Sequence, residues 1–256
     1  VREKALAQEA QEPIGRRLQW GVYLSGAFGS SIANQMHVVI PLWLALLHPS
    51  PLMIGIVLAS RTFLPFLLAI PAGTVMDKVG ARRVILCFGL VLVVSVALFP
   101  TGKWLLWLMV INMIAGLAAS LSWIGAQTLV GQRMRGDPTY AGRLSFVTRI
   151  AELVGPPVIG YIWDIFGPNA AFGFMTFWAS GVVVGVLMIP KTDDERSGVG
   201  PSVVPADLVP RLSHYLGAFH LMVIPAVLLV VMVSIIRQAG QGVQSTFYIV
   251  YLIQEG

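Results

Sequence analysis

Charge is scarce in this chain. Only 11% of its 256 residues are Asp, Glu, Lys or Arg, against about a quarter in an ordinary soluble domain. A chain so poor in charge cannot cover itself with polar surface in water, which makes a lipid bilayer its expected solvent. Cysteine is rarer still: Cys87 stands alone inside an apolar run, so no disulfide forms within the chain. There is no Walker-type phosphate loop, no H-E-x-x-H pair and no Cys/His cluster at metal spacing. The glycine-rich stretches lie inside apolar runs and do not follow a strand. Those absences leave an enzyme activity, a cofactor and a metal centre without residues to support them. The first eighteen residues also lack the apolar core of a signal peptide.

What the chain does have is long apolar runs. Mean hydropathy is +0.79. A helix needs about 20 apolar residues to cross the hydrocarbon core. Seven segments meet or approach that length, near 18–47, 52–75, 83–101, 103–129, 143–165, 170–190 and 218–252. A membrane β-barrel would instead show alternating segments of about 10 residues. The expected fold is therefore an all-α membrane protein.

The basic residues give it a sidedness. Arg2, Lys4, Arg16 and Arg17 lie in the N-terminal tail, Lys78, Arg82 and Arg83 after helix 2, Arg133, Arg135 and Arg143 after helix 4, and Lys191, Arg196 and Arg211 after helix 6. The opposite loops hold only Lys103. By the positive-inside rule the N-terminus is expected in the cytoplasm. Charges gathered in short loops between apolar runs report topology, so the net charge of +5 does not point to nucleic acid. Residues 191–217, rich in charge, Gly and Pro, read as a linker. The expected organisation is a tail at 1–17, a six-helix bundle at 18–190, a cytoplasmic linker at 191–217 and helix 7 at 218–256. Polar residues precede an apolar, aromatic end in both helix 1 and helix 7, a slight internal echo. Starting at Val1 and stopping after an apolar run, the chain reads as part of a longer protein.

Between helices 2 and 3 stand Gly73, Asp77, Lys78, Gly80, Arg82 and Arg83. Their spacing resembles the signature loop of the major facilitator superfamily, G-x-x-x-D-[RK]-x-G-[RK]-[RK], with Ala81 where a basic residue is usual. In helix 5, Gly142, Gly155, Pro156 and Gly160 keep the spacing of that family's antiporter-associated pattern, while Ala151 and Ile159 depart from it. In helix 4, Asn112 stands where related proton-coupled members carry an Arg implicated in proton transfer. The resemblance implies an N-terminal six-helix bundle, a latch at the signature loop, and secondary transport by alternating access around a midplane site.

Ionisable and polar residues at bilayer depth are expensive, so they face a cavity or a partner. Arg149 and Glu152 are three apart on helix 5, hence on one face. They read either as a proton-responsive gate or as a structural ion pair. Arg61 in helix 2 reads as an anion-binding residue or an interhelical bridge. Asn34 and His37 in helix 1, Trp123 and Gln127 in helix 4, and Arg237, Gln241, Gln244 and Tyr248 in helix 7 are the other candidates for a substrate cavity. The expected activity is transport of a small molecule, with export coupled to protons as the first reading. Uptake of a small polar or anionic solute is the second, and a non-transporting assembly factor or sensor the third. The expected setting is a bacterial inner membrane, with the protein a monomer in the lipid bilayer.

Overall fold

The computed structural model describes residues 14–48, 50–191, 223–237 and 240. Six long helices fill the first two stretches: α1 (Arg16–Leu46), α2 (Pro51–Val79), α3 (Ala81–Leu98), α4 (Leu105–Arg133), α5 (Pro138–Phe166) and α6 (Pro168–Met188). A 3-10 turn, Phe99–Thr101, finishes α3. A shorter apolar helix, α7 (Pro225–Arg237), follows in a separate unit of the chain. No strand occurs among the described residues. The linker and most of helix 7 as expected from sequence lie outside them.

Local chemistry sets the helix ends. Ser50 caps α2 by accepting a hydrogen bond from the Met53 N–H, and Pro51 occupies its first turn, where no N–H is required. Asp137 caps α5 in the same way, accepting from the Thr139 N–H at 2.7 Å, with Pro138 next to it. That cap starts α5 five residues before the apolar run from 143. Gly80 has φ of +92° and serves as the end of α2 and the start of α3. A side chain there would be strained, which is why the signature loop needs glycine at this turn.

The carboxyl of Asp137 is held below its usual pKa of 3.8, chiefly by the Thr139 N–H. A depressed carboxylate stabilises the folded state above its unfolded pKa, and the effect is lost as pH falls through the folded value. Amide protection in the first turn of α5 is therefore expected to weaken below about pH 4. In Asp137→Asn that acid step should disappear, because the capping oxygen remains and the titration does not. Hydrogen exchange corrected for intrinsic rates measures it; an unchanged acid step would assign it to another group.

Four helices carry membrane-length apolar stretches: Pro51–Leu68, Ala81–Thr101, Leu105–Arg133 and Pro168–Met188. α1 and α5 are equally long but too polar to meet the same measure. Both interleave apolar residues with Ser, Asn, Gln, Arg or Glu. The two helices whose polarity is hardest to expose to lipid pack extensively on one another, which hides much of it.

The packing has an internal symmetry. α1 rests against α5 and α6; α4 rests against α2 and α3; α1 meets α4, and α3 meets α6. Exchanging α1, α2 and α3 with α4, α5 and α6 returns the same set of neighbours. Small residues permit the closest approaches. Gly21 of α1 lies against the Gly185 carbonyl of α6. Gly116 of α4 lies against the Arg61 carbonyl of α2, so close that no Cβ fits between them. The core is otherwise aliphatic and aromatic, with Trp43 edge-on to Phe172 and Phe99 stacked on Phe172.

Candidate translocation site

Several of the candidate polar residues meet at one stretch of α1, residues 33–37. From α2, the Arg61 guanidinium donates to the Ala33 carbonyl at 2.8 Å. His37 is exposed on α1, one turn beyond Ala33. Asn34 is half-buried between these two positions. On the other flank, the fully buried Gln35 packs its amide against Gly155 of α5. Neither atom of that amide has a hydrogen-bond partner among the described residues. One turn before Gly155, Glu152 accepts from Arg149 at 2.7 Å; the carboxylate is 20% exposed and the guanidinium side chain 69%. The pair is thus polarised, with the acid toward the bundle and the base outward.

Prolines weaken the helices at this level. A proline supplies no N–H to the carbonyl four residues before it. Pro41, Pro65 and Pro156 all lie inside helices, and they stand four residues after His37, Arg61 and Glu152. His37, Arg61 and Glu152 therefore each carry a main-chain carbonyl released from the helical ladder. The released carbonyl of Arg61 is the one that meets Gly116. Irregular backbone of this kind is tolerated at membrane depth only where protein or a cavity covers it.

Asn112 cross-links α4 to α2 one turn before Gly116. Its amide donates to the Val57 carbonyl at 2.7 Å, and Ser60 lies 3.4 Å away. At this position it acts as a non-titrating brace between two helices.

Other candidates lie elsewhere. Trp123 packs beside Gly26 of α1, and Gln127 is exposed one turn further along α4. Gly26 and His37 are separated by roughly 16 Å of helix at 1.5 Å per residue, so Trp123 and Gln127 belong to a different level from Arg61. Arg237 is exposed at the end of α7. Gln241, Gln244 and Tyr248 lie outside the described residues.

The signature loop works at the end of the bundle where the basic loops collect. Arg82 is only 6% exposed, and its Nε donates to the Ile189 carbonyl at 2.9 Å. Arg133 of α4 donates to the next carbonyl, Pro190, at 2.7 Å. Two arginines from different helices thus close the C-terminus of α6, where cations complement the helix dipole. Asp77 and Lys78 are exposed, Arg83 is half-buried, and Gly73 lies within α2 with open space where a Cβ would be. The sequence marks Arg82 as part of a charge network but carries no sign that its acceptor is a carbonyl 107 residues away. Of the helix 5 pattern, Gly155 makes the close contact, whereas Gly142 and Gly160 face open space.

A bundle of membrane-length helices with braced polar residues inside and basic loops at one end defines a polytopic α-helical membrane protein of the transporter class. The sequence matches the Major Facilitator Superfamily over residues 22–255. The chain belongs to that family, and membrane transport of a small molecule is the family's activity. A search of curated proteins gave no match.

Proposed function

We propose that this protein is a secondary active transporter that exports a small amphipathic molecule in exchange for protons. It works by alternating access in a bacterial inner membrane with its N-terminus in the cytoplasm. Residues 18–190 form one rocking bundle, 191–217 the linker, and 218–256 the opening of the second. The carrying observation is the polarised Arg149–Glu152 pair, with its carboxylate drawn in and its cation outward. A cationic substrate arriving at Glu152 competes with Arg149 for the carboxylate, and a proton replaces the substrate when it leaves. Pro156 supports the idea by loosening α5 at that residue. Asn112 supports no proton relay through α4, so the exchange runs through α5.

The test uses the full-length protein in liposomes with a pH-sensitive dye inside and an imposed proton gradient. Amphipathic cations are expected to trigger proton movement. Glu152→Gln should lower that movement roughly tenfold or more while binding persists, since an intramembrane ionisable group is removed. Transport indifferent to the gradient would sink the coupling.

The second reading, uptake of a small anionic solute, draws on Arg61 with His37 exposed beside it. Proton movement with small organic anions alone, abolished by Arg61→Ala in a folded protein, would favour it over export.

A further inference from the structure

At the end of the bundle that carries the basic loops, α1 and α5 part to leave a cleft of about 650 Å³. It is lined by Arg16, Gln19, Trp20 and Tyr23 of α1 and by residues of α5 that include Arg143 and Phe146. Among the described residues that line it are two guanidinium groups and no carboxylate. Asp137 interacts electrostatically with Arg143, and its oxygen accepts from the Thr139 N–H. The Arg143 guanidinium lies over the Tyr140 ring, 5.8 Å from its centre, which fixes it without neutralising it.

Tyr23 forms the inner wall. It is 6% exposed, and its hydroxyl lies beside the Arg143 guanidinium. The two cations point to an acceptor-rich anion. Trp20 and Phe146 flank the cleft at 55% and 67% exposure. Indole and phenyl groups placed this way suit a ligand with an apolar body and a polar head, and tryptophan favours the membrane interface. A free inorganic anion uses the arginines but gains nothing from these rings.

We infer that the α1–α5 cleft binds the phosphate headgroup of an anionic phospholipid, with Arg16 and Arg143 on the phosphate and Trp20 and Phe146 against the acyl chain. The site is separate from the 33–37 stretch of α1 and does not require the export reading. It joins the starts of the two helices that carry Gln35 and Glu152, so an occupied cleft ties α5 to α1.

The test is lipid selectivity in nanodiscs, read by native mass spectrometry of retained lipid and by thermal unfolding with added lipid. Phosphatidylglycerol is expected to be retained about tenfold better than phosphatidylcholine, as 1.4 kcal/mol of headgroup preference gives. Arg16→Ala with Arg143→Ala should remove that preference. Arg17→Ala, which removes a neighbouring charge outside the cleft, should leave it intact. Equal loss in Arg17→Ala would mean a diffuse surface effect and overturn the site. If the double variant does not fold, Arg143→Gln decides: an unchanged preference overturns the site. Protection of the unfolding midpoint by inorganic phosphate equal to that by the lipid would overturn the lipid assignment.

Discussion

Gly116→Ala is expected to damage this protein more than any other single methyl addition in α4. The Cβ would fall against the main-chain oxygen of Arg61 and against its side chain. A main-chain oxygen in a helix cannot rotate away, so α2 must move outward or α4 must bend. Moving α2 strains the Asn112 bond to the Val57 carbonyl one turn along and the Arg61 bond to the Ala33 carbonyl. The cost is expected at about 3 kcal/mol, the upper end of ordinary overpacking. Gly131→Ala, also in α4 but facing open space, is the control and should be near neutral. Thermal unfolding in detergent measures both. A Gly116→Ala protein as stable as its parent would mean that α2 and α4 do not approach as closely as described.

Arg82→Ala is the second large effect. Arg82 is the buried member of the pair closing α6, and its removal leaves the Ile189 carbonyl without its charged donor. Hydrogen bonds to charged groups contribute about 1.5–3 kcal/mol, and the lost guanidinium packing adds to this. Arg82→Lys should recover part of the loss, since the charge remains near the helix end but the Nε donor does not. Arg133→Ala should be milder, because its bond to Pro190 is exposed and water replaces it. Hydrogen exchange across residues 185–191 distinguishes them: Arg82→Ala should open the last turn of α6 more than Arg133→Ala. The reverse order would place the main closure on α4.

Hydropathy and charge made the six helices of the first unit legible. The apolar runs fall within a few residues of α1–α6, because the bilayer demands length and the loops demand charge. The start of α5 was less legible, since a cap and a proline extend it beyond its apolar stretch. Helical spacing also reported faces well: Arg149 and Glu152 do form a pair. Spacing says nothing of level, which is why Trp123 reads as a companion of Arg61 in sequence and lies near Gly26 in space. Asn112 shows a further limit. As a substitution for a titratable residue it reads as a missing function, while its bonds to the Val57 carbonyl and Ser60 make it a brace. Main-chain acceptors leave no trace in composition, so braces of this type become visible only once helices are placed.

The exchange symmetry of the bundle has a consequence for how the protein is made. Within α1–α3 the contacts are slight, and within α4–α6 they are little better; the broad interfaces all join a helix of one trio to a helix of the other. When the ribosome has delivered the first three helices to the membrane, they have almost nothing to hold on to. α1 waits for α5 and α6, and α2 waits for α4. Assembly is therefore expected to be late and collective, with the nascent trio relying on lipid until its counterpart arrives.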